Sequence, residues 1–452
     1  MSESVFDIEG PFRPYRRLFE AFEGEGHELL FVGGCVRDRV MKRGHSGDID
    51  LATSATPSET KAVLKKHRYK AIPLGEKFGT ITTLVDRQTV EITTYRVGEL
   101  YEPGSRHPVV QFGTDITADL ARRDLSINAM AMRADGTIID PYDGQTAIAN
   151  RCLEVPGGGY ENTISILRDD PLRLLRTARF AARFDYAPTA ETTRAALVSA
   201  PSLADISRER WAAEFDKLLV SEHPGVGLQW LFDVGAWPVL FPGANASDQA
   251  CVALIAALMA APMDRDVRWA LLVWHVLSGA EGPAITTDPA VMWPTREERH
   301  DAALQQCGRF RLSNARRARM GSLITLPFDE SALRSSATTP QLRRWYTDAD
   351  GHVFAQLDFA HALAHGEPGL AQHIEAKRVA LAELAERENP VPSLPTGLGG
   401  ALRQALSLKG PEIGEAMRRV REAILDGEIP NEADVPTYVA WASAPNDDRG
   451  NT

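Results

Sequence analysis

The sequence predicts an α+β protein: a mixed α/β head over residues 1–150, followed by a long all-helical remainder. Three observations predict it. Short runs rich in β-branched residues are confined to the head, which suits brief strands. A Gly157-Gly158-Gly159 run then marks a change of pattern. From Ser165 onward, apolar residues recur at spacings that line one face of a helix.

In the head, Leu29–Val32, Thr80–Val85 and Val90–Tyr95 read as strands, and Asp48–Thr53 alternates in the same way. Pro57–His67 reads as a helix with Ser58-Glu59 in its first turn and Val63-Leu64 on its apolar side. Arg133–Asp140 reads as a hairpin turning at Asp135-Gly136. In the remainder, Ile166, Leu167, Leu174, Leu175, Ala178 and Ala182 suit one helix face. Further helices are expected near Glu209–Val220, Gly225–Val234, Asp248–Ala260, Asp266–Leu277, Arg296–Arg309, Gln341–Thr347, Ala371–Arg387 and Pro411–Leu425. Asn389–Gly400, with three prolines and three glycines, is the expected linker.

Composition narrows the function classes. The 452 residues carry a formal net charge of -11, so any nucleic-acid face must be confined to one region. Four scattered cysteines, with no CxxC pair, point to a reducing compartment rather than a disulfide or zinc scaffold. The acidic start MSESVFDIEG does not resemble a signal peptide, and the apolar run from Cys251 to Ala261 is too short to span a bilayer. A cytoplasmic protein with no membrane partner is the expectation.

Chemistry concentrates between Gly33 and Thr53. Asp48 and Asp50 stand two apart on an expected strand, so both point to one face. Two carboxylates so close repel unless a cation lies between them, and hard oxygen ligands suit Mg²⁺ bridging to phosphates. Upstream, Gly33-Gly34 leads from a strand into a helix, where glycine lets backbone N–H groups approach a phosphate and the helix N-terminus favours its charge. Arg37 would offer that phosphate a charged fork. Glu91, on another strand, would complete a carboxylate triad as general base, or is simply an exposed strand glutamate. Alone, a DxD pair or a GG turn is ordinary; together they form a phosphate cradle beside a metal pair.

GGCVRD followed by DIDLATSATPSE resembles the signature of class II tRNA nucleotidyltransferases and bacterial poly(A) polymerases, within the polymerase β-like nucleotidyltransferase superfamily. The stretch Arg122-Arg123-Asp124-Leu125-Ser126-Ile127-Asn128-Ala129 resembles that family's RRDxxxNA motif. The resemblance implies that Asp124 and Asn128 recognise ribose hydroxyls while an arginine, Arg123, steadies the phosphates. On a helix the first two would share a face at i, i+4. Asp169-Asp170-Pro171-Leu172-Arg173 resembles the base-reading EDxxR motif, with Asp169 where the family has Glu. Asp170 would accept from an exocyclic amino group and Arg173 donate to a ring acceptor, a pattern that cytosine and adenine share. Arg176, Arg179 and Arg183 continue that helix as a positive stripe, facing triphosphate or RNA phosphates or else plain solvent.

Arg208-Glu209-Arg210-Trp211-Ala212-Ala213-Glu214 resembles the family's neck motif, with an expected structural role of orienting the base-reading helix. Tyr101–Pro108 resembles the flexible loop required for adding the terminal A. Arg268–His275 ends in Trp274-His275 where many relatives have His-Asp, so hydrolytic metal chemistry is not expected there. The resemblance implies a nucleotidyltransferase head at 1–150, a helical base-recognising neck at 151–245, an RNA-binding body at 246–388, and a linker and tail at 389–452. It also implies CCA addition to tRNA from CTP and ATP, with Mg²⁺ on Asp48 and Asp50. The alternatives are a poly(A) polymerase, an A-adding-only enzyme, or a silent RNA-binding protein.

Overall fold

The computed structural model describes residues 10–44, 48–100, 109–244, 246–277, 296–324 and 333–444. The chain divides into two compact units, Met1–Leu240 and Phe241–Thr452.

In the first unit, helix α1 (Arg16–Gly24) precedes β1 (Leu29–Val32), whose four residues are all buried. Helix α2 (Gly34–Val40) and β2 (Asp50–Thr53) follow. Next comes α3 (Pro57–Lys66), fixed by a capping box in which Thr56 and Glu59 satisfy each other's backbone N–H groups. β3 (Thr80–Val85) and β4 (Gln88–Thr94) turn through Asp86 and Arg87, both in the left-handed region that a tight hairpin demands. β5 (Arg96–Leu100) pairs with β6 (Val109–Phe112) as a separate ribbon, and α4 (Ile116–Ala121) follows. The expected hairpin forms from β7 (Ala131–Met132) and β8 (Ile138–Ile139), with Gly136 at φ 85°. The main sheet has the order β3-β4-β2-β1-β7-β8, with β2 and β4 parallel and the other pairs antiparallel. One of its faces packs on α1 and α3 through Phe19, Phe22, Phe31, Leu51 and Leu64.

After α5 (Gly144–Ala149), the helices begin in earnest. The periodicity from Ile166 onward predicts one helix face, but the structure has two helices, α6 (Tyr160–Asp169) and α7 (Leu172–Phe184). The break has a local cause: Pro171 disfavours the helical region for the residue before it, and Asp170 is extended at φ -137°. α8 (Ala190–Ser199), α9 (Arg208–Leu219) and α10 (Pro224–Asp233) complete the unit's larger helices. α10 crosses α7 so closely that a methyl group on Gly227 would stand 2.2 Å from the Ala178 carbonyl oxygen.

The described part of the second unit is helical. It contains Asp248–Ala260, Arg265–Leu277, Arg296–Arg309, Asn314–Ile324, Thr339–Asp348, Val353–Leu363 and Pro368–Arg387. The linker region then leads to Leu398–Leu406, Pro411–Asp426 and Val435–Ser443, which gather around a core of their own at Leu398, Leu402, Val420, Ile424 and Tyr438. Among the described residues, no helix is long and apolar enough to cross a membrane.

The α7–α10 crossing yields a stability prediction. Gly227→Ala forces a methyl group against backbone that cannot rotate away, and is expected to cost about 1–3 kcal/mol. Urea denaturation checks it; an unchanged midpoint would show that the two helices separate freely.

Candidate active site

β2 and β4 run side by side in parallel, with Asp50 in register with Glu91. Directly paired residues of adjacent strands project to the same face, so the two carboxylates are neighbours, and both residues are exposed. Asp48 lies just before β2 rather than within it, which corrects the expected strand start. The alternation nevertheless reaches back to it: Asp48 is exposed, Ile49 is 4% exposed, and Asp50 is exposed again.

Gly33 sits beside this pair at φ 71° and ψ -129°, between β1 and α2. A methyl group there would stand 3.1 Å from Arg123 Nη1 and 3.9 Å from Asp50 Oδ2. The glycine therefore marks a place where backbone, guanidinium and carboxylate meet, with its own N–H donating to the Met130 carbonyl at 3.4 Å. Arg123 is itself held by Asp119, which accepts from its Nη2 at 3.1 Å. Cys35, on the next turn, is no nucleophile: burial, and then the charge of Asp50, push its thiol up to about 12. Among the described residues, no three Asp, Glu, His or Cys side chains converge as metal ligands. Asp48 and Asp50 are both exposed carboxylates, hard oxygen donors of the type that suits Mg²⁺.

A second cluster lies at the seam between the sheet and α7. Asp124 and Asn128 do not lie on an α-helix as expected; a short 3-10 turn, Ser126–Asn128, follows Asp124. They meet all the same, Asn128 Nδ2 donating to Asp124 Oδ1 at 3.0 Å. The other oxygen of Asp124 accepts from Arg176 Nε at 2.8 Å. Burial opposes ionisation of Asp124, but Arg176, Asn128 and Arg179 outweigh it and hold the carboxyl below its usual range. Arg176 also reaches Glu214 on α9, and Arg179 pairs with the same glutamate at 2.8 Å.

Two expectations are corrected here. Arg37 is not a fork aimed at a triphosphate. It is 4% exposed, donates from Nε and Nη2 to Asp38 and from Nη1 to Asn128 Oδ1 at 2.6 Å, and lies 4.9 Å over the Phe184 ring. Nor do Arg176 and Arg179 form a solvent-facing stripe, because Asp124 and Glu214 engage both. Burial lowers Arg179 to about 10, with Glu214 opposing that shift. Of the three, Arg183 is the exposed member, half-buried and 3.9 Å from Asp38.

Asp170 and Arg173 occupy the break between α6 and α7. Arg173 donates to the Ile166 carbonyl at 2.9 Å and the Arg122 carbonyl at 2.7 Å, which fixes its guanidinium. Asp170 caps the turn by accepting from Leu172 N, and Arg210 of α9 donates to both its oxygens at 3.3 and 3.1 Å.

Arg210 and Glu214, from the motif expected to orient the base-reading helix, hold Asp170, Arg176 and Arg179. Asp38 and Asp119 also touch expected site residues, and sequence reasoning gave neither that part. Asp119 was findable, standing i, i+3 and i+4 before Arg122 and Arg123. The Tyr101–Pro108 loop lies outside the described residues. His275 is 8% exposed, hydrogen-bonded to the Leu271 carbonyl, and pushed down to about 4 by burial, a neutral core histidine.

With this geometry established, likeness to known proteins becomes informative. Residues 29–154 match the poly A polymerase head domain, and residues 185–247 match a segment described as a probable RNA and SrmB-binding site of polymerase A. The CCA-adding enzyme of Lactiplantibacillus plantarum is 28% identical over 447 residues, 94% of each chain. Similarity to a CCA-adding enzyme thus runs over nearly the whole chain, and the two polymerase segments match within its first 247 residues. The CCA-adding enzyme of Geobacillus kaustophilus is 36% identical over 262 residues, 58% of this chain and 62% of that one, so the match spans under two thirds of that relative. A crystal structure of the Bacillus stearothermophilus CCA-adding enzyme in complex with CTP superposes with a TM-score of 0.72 at 26% identity, covering 96% of this chain and 97% of that one.

The seam cluster carries its own test. Glu214→Ala would leave Arg179 buried without its carboxylate and weaken the hold on Arg176, at an expected cost of about 3–5 kcal/mol. Chemical denaturation measures it, and a loss below about 1 kcal/mol would mean that water replaces the glutamate.

Proposed function

We propose that this chain adds C, C and A to the 3′ end of tRNA from CTP and ATP, with no nucleic-acid template. The observation that carries the reading is the Asp170–Arg173 pair at the α6–α7 break, with the Arg173 guanidinium fixed by two carbonyls. Two of the five N–H donors of Arg173 are committed to backbone carbonyls, so the remaining ones are held in a set direction. A base that offers an amino group beside a ring acceptor satisfies Asp170 and Arg173 together. Uracil and guanine present the opposite order and would leave both groups unpaired, which is costly in a desolvated site.

The other residues take roles around that pair. Asp48 and Asp50 would hold Mg²⁺, which when bound supplies Lewis-acid polarisation of the α-phosphate and a more acidic primer 3′-hydroxyl. Glu91, beside Asp50 in the sheet, accepts the proton of that hydroxyl. The backbone at Gly33 and Gly34, with Arg123, steadies the phosphates. Asp124 and Asn128 meet the ribose hydroxyls, and Arg37, Arg176 and Arg179 act as positioning residues behind them. Residues 1–150 form the catalytic head, 151–245 the base-recognising neck, 246–388 an RNA-binding body, and 389–452 the linker and tail. The setting for this chemistry is the cytoplasm.

Transcripts of tRNA ending before C, before the second C and before A, with labelled CTP or ATP, test the reading. CTP should enter the first two and ATP the third, with activity abolished by chelation and restored by Mg²⁺. Asp50→Asn should lower the rate at least about a hundredfold, as expected when charge stabilisation at the reacting phosphate is removed. Incorporation of ATP alone would sink CCA addition in favour of an A-adding or poly(A) enzyme. No incorporation at all would leave a silent RNA-binding protein.

Base choice is testable separately. Asp170→Ala should keep RNA binding but lose the preference of CTP and ATP over UTP, read as the ratio of kcat/KM values. An unchanged ratio refutes the assignment of Asp170.

A further inference from the structure

An open cleft of about 450 Å³ lies in the first unit, lined by Val40, Met41, Lys42, Arg43, Arg151 and Tyr186 together with Ile148 and the Phe184 ring. None of its cations belongs to the site described above. Lys42, Arg43 and Arg151 are exposed, and Arg43 and Arg183 stand 5.4 and 5.0 Å over the same Phe184 ring. Asp185 is tied to Arg151 at 2.7 Å, while Lys42 and Arg43 have no acidic partner among the described residues.

A structural reading exists: α2, α5 and α7 all end here, and helix C-termini attract cations. Three such ends supply at most about -0.5 charge each, and Asp185 adds one more negative charge. Arg183 has Asp38 at 3.9 Å and Arg151 has Asp185, but Lys42 and Arg43 are left with helix ends alone, so an anion is still wanted. The backbone points the same way. Lys42 and Arg151 each follow a helix end at φ 54° and 52°, the left-handed region where glycine is the relaxed choice. Long cations occupy both positions instead.

We infer that this cleft holds the phosphodiester backbone of the RNA primer, upstream of its 3′ end. The inference rests on the nucleotidyltransferase reading and extends it to residues outside the segment matched as RNA-binding, which begins at its wall with Asp185 and Tyr186. Cations interleaved with aromatic rings in an open groove suit a single strand, whose phosphates pair with the charges and whose bases stack. The cleft lies at the C-terminal end of α2, one seven-residue helix away from Gly33. The helix alone spans roughly 10 Å, which separates this anion site from the nucleotide's own phosphates.

The test uses the full-length chain, a labelled tRNA transcript lacking CCA, and a salt titration. The variant K42G/R43Q removes two cations, and its glycine suits the left-handed backbone, so its melting temperature should not fall. Its dissociation constant should rise about tenfold near physiological salt, and the slope of log K against log salt should shrink by roughly 1.5. KM for tRNA should rise while KM for CTP stays unchanged, and K42R/R43K should restore both. Affinity and slope equal to the parent's, with an intact fold, would overturn the inference while leaving nucleotide addition standing. If K42G/R43Q melts early, R151Q gives the same reading through one lost phosphate contact. A parent protein that binds no tRNA would instead overturn the functional reading beneath it.

Discussion

The structure of the first unit depends on an alternating chain of charge buried at the seam of sheet and helices. It runs from Asp38 through Arg37, Asn128 and Asp124 to Arg176, Glu214 and Arg179. Three cations face three anions, with one amide bridging. Such a network contributes little net stability over a well-packed apolar seam, because desolvation offsets most of the Coulombic gain. What it supplies is registry. Each member has partners on different elements, so α7 cannot slide or rotate on the sheet without stranding a buried charge.

That registry links the two halves of the proposed site. Asp50 and Glu91 are placed by strand pairing, whereas Asp170 and Arg173 are placed by the start of α7. Arg173 adds a direct tie, donating to the carbonyl of Arg122 only one residue before Arg123, which lies against Gly33. The proposed base-reading pair and the proposed phosphate cradle are thus coupled through about two residues of backbone. Asp170 is the looser partner. Its oxygens meet only a turn N–H and the half-exposed Arg210, which leaves it room to exchange a guanidinium for a base amino group.

Much of this was legible in the sequence where the signal was local. β1 and β3 begin and end where their β-branched runs do, and α3 follows from Thr56, Pro57 and Glu59. Asp124 and Asn128 meet, as their i, i+4 spacing led one to expect. What failed was any inference that treated a motif in isolation from its partners. Arg176 and Arg179 read as available cations because their counter-charges lie far away in sequence, 52 residues for Arg176 and Asp124. The counter-charge of Arg37 is the next residue, Asp38, and what the sequence hid was the burial of both. The single helix face through Ile166 and Ala182 is broken at Pro171, which suits the first turn of a new helix and does begin one here. The turn at Ser126 was hidden because i, i+4 contact can arise without a helix when a carboxylate bonds the next backbone N–H, as Asp124 does with Leu125.

The same bookkeeping of charge resolves how an acidic chain can serve a polyanion. With a net charge of -11, long-range attraction for RNA is absent, and short-range attraction must come from cations not already neutralised. On α7 the seam neutralises Arg176 and Arg179, and backbone carbonyls orient Arg173, so the helix that looks most basic in sequence has little charge to give. Arg183, one turn further on and half-exposed, is where that neutralisation weakens. There it joins Lys42, Arg43 and Arg151 from two other helix ends. The buried network therefore does two things with one set of arginines. It fixes the residues proposed to face the nucleotide, and it leaves the positive potential at the far end of α7, beside the proposed strand site.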